Sequence, residues 1–314
     1  MNKRDAVLGL LDAGTPQTFI PAAFFLHFDA SCHFGDAAVE KHLEFVRATG
    51  MDFVKVQYER SFPHLPALQR AADWTAMPLY DEAFFAPQLE AVEGIVKAVG
   101  REALVVVTLY SPFMCASHAV GEEAVLRHIR EDAEPVLKGM EVVTASLMAF
   151  VKACIRLGVD GFYHSTQGGE THRLSDRALF DTFVRPFDLA VMGEAERACP
   201  FNILHVCDYA GEYDDLARFR DYPGHVVSCP LTVGGRPLSL AEAHRLFGRP
   251  VMGGLDRRGA IATGGKAEIR AAVEAVLRQA PERFVLGADC TVPADTPWEN
   301  LRTAVETAHA WRRG

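Results

Sequence analysis

The sequence predicts a single-domain α/β protein, spanning residues 1–314, in which eight strands and their helices close into a (β/α)8 barrel, or TIM barrel. Eight short runs of apolar and β-branched residues recur along the chain, helical patterns separate most of them, and no linker divides the sequence. Strands that are apolar along their whole length and alternate with helices indicate a parallel sheet covered on both faces. Eight such units in about 290 residues are typical of this barrel.

The predicted strands are short, nearly continuous in apolar character and bounded by turn residues. In chain order they are Ile20–Phe28, Phe53–Glu59, Leu104–Tyr110, Gly161–Gln167, Phe201–Cys207, Val226–Leu231, Pro250–Asp256 and Phe284–Cys290. The carboxyl ends of all strands meet at one end of such a barrel, where its active sites lie. Residues that end these runs are therefore the first candidates for function.

The predicted helices repeat apolar residues at helical spacing, and several stop at Gly50, Gly100, Gly158 or Gly248. They are Ala37–Thr49, Gln88–Val99, Glu122–Leu157 (broken near Pro135 and Gly139), Asp176–Ala198 (bent at Pro186), Ser239–Phe247, Gly265–Gln279 and Asn300–Trp311. Proline inside a helix removes one backbone hydrogen bond and clashes with the preceding turn, which is the reason to expect breaks there.

Two long insertions, Arg60–Ala86 and Ser111–Gly121, follow the second and third predicted strands. Both lie after the carboxyl ends of strands, where barrel enzymes build their sites. The first is rich in aromatic residues and proline. It is expected to form either a pocket wall or lid, or a packed layer on the surface.

The net charge of −9 and the scattered Lys and Arg residues do not favour nucleic acid or an anionic membrane as a partner. No apolar run approaches the roughly 18 residues that a membrane span needs. The first residues lead into an amphipathic helix and not into the apolar core of a signal peptide. We therefore expect a cytoplasmic protein.

The seven cysteines are an odd number without the spacing of a disulfide framework. In a cytoplasmic protein this argues for free, buried or metal-binding thiols. Cys154, on a predicted helix, and Cys199, before Pro200, are interpreted as small core residues.

His205, Cys207 and Cys290 form the most informative group. His205 and Cys207 lie two apart on one strand and so project from the same face, and Cys290 ends the last strand at the same end of the barrel. One imidazole and two thiolates suit Zn²⁺ and leave a fourth position open, as catalytic zinc sites do. The alternative is a core histidine beside buried thiols.

The motif His205-Val206-Cys207 and the segment Leu286–Leu301 resemble the uroporphyrinogen decarboxylase superfamily, and Val251–Asp256 is similar to its seventh strand. Within the superfamily the match is to zinc-dependent corrinoid methyltransferases, typified by methylcobalamin:coenzyme M methyltransferases. The resemblance implies His205, Cys207 and Cys290 as zinc ligands. It also implies methyl transfer between a corrinoid (methylcobalamin), carried by a separate protein, and a small thiol or methylated substrate.

The sequence departs from the superfamily at two places. Uroporphyrinogen decarboxylases follow the first strand with an arginine-containing motif for the substrate propionates, whereas this chain has Phe24–Asp29 and no arginine until Arg47. Unpaired carboxylates are costly to bury, so this argues against porphyrinogen decarboxylation. Related zinc enzymes can place an acidic residue near the end of strand six. Cys229 stands there in this chain, as a fourth ligand or as a core thiol.

Further polar residues lie at the predicted strand ends. Glu59, His27 and Asp208 are the candidates for catalysis, with Asp208 either orienting His205 or facing away from it. Asp289, beside Cys290, is expected to face away and bond a helix. The candidates for contact with the corrinoid cofactor are Tyr110, Gln167 and Asp256.

Two other functions remain open at this point. A cofactor-free decarboxylase of the same superfamily would work without metal and depend on an aspartate such as Asp29. A non-catalytic corrinoid or tetrapyrrole carrier would bind its cofactor tightly and transfer no methyl group.

Overall fold

The computed structural model describes residues 2–14 and 16–312, and its centre is a parallel sheet that curls into a barrel. The strands are β1 (Phe53–Val56), β2 (Leu104–Tyr110), β3 (Gly161–Thr166), β4 (Ile203–Val206), β5 (Val226–Ser228), β6 (Thr232–Val233), β7 (Arg236–Pro237), β8 (Val251–Leu255) and β9 (Phe284–Ala288). Seven of them pair in parallel in the order β1-β2-β3-β4-β5-β8-β9, and β6 and β7 form a separate antiparallel pair. The predicted α/β TIM-barrel fold is confirmed.

The first predicted strand, Ile20–Phe28, is an extended segment that makes only one isolated bridge, between Ala22 and Leu286 of β9. On its other side, Asp52 N donates to the carbonyl of Ala22 at 3.1 Å. The segment therefore lies between β9 and the start of β1 and closes the barrel. The prediction was right about the place of this segment in the barrel and wrong that it forms a regular strand.

Side chains explain why this segment forms no ladder. Ala22 N donates to Asp52 Oδ2 at 2.8 Å, and Phe24 N donates to the sulfur of Met51 at 2.9 Å. Pro21 has no N–H to donate. The backbone groups that would pair with β1 are thus satisfied by other means, as buried backbone groups must be.

Helices cover the outside of the barrel. They are α1 (Lys3–Leu8), α2 (Gly35–Thr49), α3 (Glu82–Val99), α4 (Pro112–Val120), α5 (Glu122–Glu131), α6 (Ala133–Arg156), α7 (Arg177–Phe183), α8 (Arg185–Ala198), α9 (Leu240–Phe247), α10 (Ala260–Thr263), α11 (Lys266–Gln279) and α12 (Trp298–Ala310). In the described part of the chain, no helix is both long enough and apolar enough to cross a membrane.

The break in the longest helical region was predicted near Pro135 and Gly139 and occurs instead at Asp132, between α5 and α6. The Asp132 side chain accepts a hydrogen bond from Glu134 N and caps α6. Pro135 lies in the first turn of α6, where a missing N–H leaves no helical bond unmade. Gly139 is helical too, and its missing side chain leaves room for Trp74, because a Cβ there would lie 2.5 Å from the indole ring.

The two insertions differ in what they do. Residues 60–86 pack against the barrel helices: Trp74 is fully buried against α6, and Phe62 and Phe85 are also in the core. This supports the packed layer and not the pocket wall. Residues 111–121 contain α4, capped by Ser111, and this helix lines the central cavity through Met114, Ser117 and His118.

Candidate metal centre

His205, Cys207 and Cys290 are brought together at the carboxyl end of the barrel. Their ligand atoms all lie within 4.8 Å of one another, and the sulfurs of Cys207 and Cys290 are 3.9 Å apart. All three residues are buried, with His205 only 1% exposed. The described residues form no other group of this kind. The spacing allows one ion to contact an imidazole nitrogen and two sulfurs.

The barrel holds the two cysteines by extending its own pairing past the strand ends. Cys207 N donates to the carbonyl of Thr166 at 3.1 Å, and the Tyr213 hydroxyl donates to the carbonyl of Cys207 at 2.9 Å. On the other side, Asp289 N donates to the carbonyl of Leu255 at 2.9 Å and fixes the backbone before Cys290. Ligands fixed in this way need little rearrangement to bind a metal.

The His205 ring is oriented by Ser228, which sequence reasoning did not identify in this role. The two residues are register partners on β4 and β5, and His205 Nδ1 lies 3.2 Å from Ser228 Oγ. His205 Nε2 is buried and forms no hydrogen bond with any described residue. Buried polar nitrogens are almost always paired. A metal at Nε2 would satisfy this one, so the donor set fits Zn²⁺.

The Cys207 and Cys290 thiols share a hydrogen bond, with 3.9 Å between their sulfurs. A hydrogen bond from Cys290 lowers the pKa of Cys207 well below its usual value, with His205 lowering it further against the effect of burial. The same hydrogen bond, together with burial, raises the pKa of Cys290. Cys207 is therefore the more acidic thiol of the two. A divalent cation would displace the thiol protons and stabilise both thiolates.

Gln167, predicted to contact a cofactor, lies in the cavity beside the Cys207 sulfur. Its amide nitrogen donates to Cys207 Sγ at 3.4 Å, and its amide oxygen accepts from Arg173 Nη1 at 3.0 Å. Arg173 Nη1 also donates to Glu170 Oε1 at 3.0 Å. Because a guanidinium can only donate, this contact fixes which end of the amide faces the sulfur.

Asp208 was predicted either to orient His205 or to face away; in the structure its carboxylate bonds Arg257, while the His205 ring bonds Ser228. Arg257 Nη1 donates to Asp208 Oδ1 at 2.9 Å and to Asp289 Oδ2 at 2.5 Å. Asp289 also accepts from Arg257 N at 2.7 Å, so it bonds this loop and not the expected helix. Burial raises the pKa of Asp208, and Arg257 opposes that rise.

His27, Tyr110 and Glu59 lie near the rim. His27 and Tyr110 line the cavity, whereas Glu59 stands behind His27, with its Oε1 3.0 Å from His27 Nδ1. Burial, followed by the charge of Glu59, raises the pKa of Tyr110. This phenol is therefore neutral at ordinary pH and able to donate a hydrogen bond.

Three other candidates lie outside this arrangement. Asp256 is exposed, and its carboxylate accepts from Arg258 N at 2.8 Å in a turn. Asp29 caps a short helix by accepting from Ser31 N, which leaves a decarboxylase based on Asp29 without geometric support. Cys229 belongs to the hydrophobic core, where burial raises its pKa to about 12. It is not part of the ligand group, and the structure favours the core thiol over the fourth ligand.

The centre opens into a cavity of about 850 Å³, which is large enough for a small organic molecule. Tyr209, 71% exposed, stands at the rim. Sequence reasoning missed Lys55, Arg173 and Arg257 in the lining. Lys55 did carry a signal, since a lysine inside an otherwise apolar strand must face either a partner or a cavity.

Ser228→Ala is expected to weaken metal binding about tenfold, because His205 loses the partner that fixes its ring and tautomer. Zinc affinity is measured by competition with a chromophoric chelator. Ser165→Ala is the matched control, since Ser165 flanks His205 on β3 and also lines the cavity. Equal affinities for Ser228→Ala and the unaltered protein would contradict this role.

A family model for uroporphyrinogen decarboxylase (URO-D) matches residues 24–311 of the chain. None of the curated proteins compared with the chain matches it significantly. Among solved structures, a methyltransferase from Methanosarcina mazei superposes with a TM-score of 0.76 at 13% identity, covering 98% of each chain. A B12-independent methionine synthase from Shewanella sp. W3-18-1, in complex with selenomethionine, superposes with a TM-score of 0.55 at 10% identity, covering 93% of this chain and 97% of its own. At these identities the likeness concerns the fold.

Proposed function

Because the chain belongs to the uroporphyrinogen decarboxylase family, we propose that it is the zinc-dependent methyltransferase variant of that fold. The reaction moves a methyl group between a corrinoid and a small thiol or methylated substrate. One observation carries the proposal: the His205, Cys207 and Cys290 ligand atoms lie within 4.8 Å of one another, at the end of the barrel where substrates enter.

The donor set favours this chemistry over decarboxylation. Two thiolates and one neutral imidazole leave a zinc ion without net charge and with one open position. When bound, the zinc would favour the thiolate form of a substrate thiol, which is the nucleophilic form. The M. mazei protein of similar fold is a methyltransferase, which is in line with this reaction class.

The chain's own residues would hold this site in place. His205, Cys207 and Cys290 would bind the metal, with Ser228 fixing the imidazole ring. Gln167 donates to the Cys207 sulfur and reduces the charge that this sulfur presents to the metal. Tyr110 and His27 line the same cavity.

We propose that the methyl carrier is a corrinoid presented by a separate protein in the cytoplasm. The cavity volume of about 850 Å³ suits a small substrate. A corrinoid is much larger than such a substrate. Its reactive face would therefore approach from the mouth of the cavity, and the substrate sulfur would lie at the metal centre. Tyr209, exposed at that rim, would be among the residues that it meets.

The test is demethylation of free methylcobalamin by 2-mercaptoethanesulfonate or 2-mercaptoethanol, followed by its absorbance change. We expect turnover by the zinc-loaded protein, loss of turnover after chelation and recovery when Zn²⁺ is returned. Turnover that survives complete removal of metal would contradict the proposal. So would zinc-loaded protein that retains a corrinoid through gel filtration and transfers no methyl group, which is the behaviour of a carrier.

A further inference from the structure

Lys55 is a buried lysine that faces the same cavity as the metal ligands. It lies in β1, is 7% exposed and lines the cavity with Cys207 and Cys290. Its Nζ lies 4.5 Å from the ring centre of Phe25 and 4.7 Å from that of Tyr163. Two aromatic rings thus hold the ammonium group, an arrangement that favours a cation.

Tyr163 connects Lys55 to the ligand group. Its ring centre lies 4.9 Å from that of His205, and the two rings are tilted by 31°. The Lys55 ammonium and the His205 imidazole are therefore neighbours of one tyrosine. Lys55 is the lysine of the cavity wall, which it shares with all three ligand residues.

Two arginines of the cavity wall already have carboxylate partners. Arg173 pairs with Glu122, the first residue of α5, and with Glu170 in the loop after β3. Arg257 likewise pairs with Asp208 and Asp289.

Lys55, by contrast, forms no ion pair with any carboxylate in the described part of the chain. Glu59 contributes at longer range only, since its carboxylate is engaged by His27 and His33. Arg258 also lines the cavity but is exposed to solvent. A buried ammonium that pairs directly with no carboxylate is unfavourable, which suggests that a negative group arrives when the site is in use.

The charges at the metal centre indicate which negative group this is. A divalent cation with one neutral imidazole and two thiolates has no net charge, and a third thiolate brings the total to −1. Burial lowers the pKa of Lys55 to about 7, while Cys290, Glu59 and Cys207 oppose this shift. A further negative charge at the centre would stabilise the ammonium form in the same way.

We propose that the Lys55 ammonium is the counter-charge for the sulfur of the thiol substrate at the metal centre. It makes the site selective for anionic sulfur over neutral ligands. This inference rests on the proposed function and adds a specificity residue to it. Lys55 acts here through its charge and needs no direct contact with the sulfur.

The experiment uses full-length protein loaded with Co²⁺, in which a thiolate added to the metal gives a charge-transfer absorption band. We expect Lys55→Met to bind Co²⁺ with unchanged stoichiometry and 2-mercaptoethanol about tenfold more weakly at neutral pH. The pH of half-saturation should rise by about one unit. Lys55→Arg should recover most of the affinity. Imidazole, a neutral ligand, should bind the variants and the unaltered protein equally.

Lys41→Met is the matched control, because Lys41 also lies over an aromatic ring, 4.6 Å from the centre of Trp298, but outside the cavity. Thiol affinity in Lys55→Met equal to that of Lys41→Met would overturn the inference, and so would an equal loss of imidazole binding. If Lys55→Met does not fold, Lys55→Gln carries the same test. Failure of any thiol to add to the unaltered Co²⁺ protein would instead overturn the proposed function itself.

Discussion

Cys207→Ser and Cys290→Ser are each expected to reduce bound zinc from about one equivalent to a small fraction, and methyl transfer to background. Each substitution removes one of only two thiolates, and a serine hydroxyl stays protonated at neutral pH and binds zinc poorly. We expect an affinity loss of at least about a hundredfold, because structural and catalytic zinc sites depend on every anionic ligand. Metal analysis after dialysis against a weak chelator measures the result.

Cys229→Ser is the matched control for these two variants. Cys229 is a buried thiol that immediately follows Ser228, yet it lies outside the ligand group. The Cys229→Ser variant should therefore keep a full equivalent of zinc. If all three variants retained zinc equally, the ligand assignment would be wrong. If Cys229→Ser alone lost it, the fourth-ligand interpretation of Cys229 would return.

Arg257→Met is expected to destabilise the folded protein by about 3 kcal/mol at neutral pH, because it leaves Asp208 and Asp289 without their shared cation. Both carboxylates are largely buried, with side chains 21% and 8% exposed, so water can replace little of the lost ion pairing. The free energy of unfolding is measured in urea at pH 7. Arg258→Met is the matched control, since its neighbouring side chain is exposed and forms no ion pair with a described residue.

The loss of stability in Arg257→Met is also expected to depend on pH. Without Arg257, the pKa of Asp208 should rise further above its unfolded value, because burial already raises it and Arg257 is the largest opposing influence. A carboxyl with a raised folded-state pKa destabilises the protein above that pKa and less so as the pH falls. The deficit of Arg257→Met should therefore shrink between pH 7 and pH 4. A variant as stable as Arg258→Met at pH 7 would contradict the role of this ion pair.

Features that depend on local periodicity could be predicted from the sequence. The alternation of side chains along a strand placed His205 and Cys207 on one face, and the common orientation of parallel strands placed Cys290 at the same end. The bend in the region before the fifth predicted strand was also right: α7 ends at Phe183 and α8 begins at Arg185, just before Pro186.

Features that depend on the closed barrel could not be predicted in this way. Ser228 and Arg257 act through partners on other strands, and their distances follow from the register and curvature of the sheet. Asp208 and Asp256 lie just beyond the ends of β4 and β8, outside the strands in which alternation fixes the direction of a side chain. Lys55 carried a signal in its apolar surroundings, but its aromatic neighbours come from other segments.

The most direct test of the account is X-ray absorption at the zinc edge, with and without 2-mercaptoethanol. We expect one zinc per chain with two sulfur neighbours at about 2.3 Å in the free protein, and three sulfur neighbours when the thiol is present. A sulfur count that stays at two in the presence of saturating thiol would contradict this expectation, because the open position would then not receive the substrate sulfur.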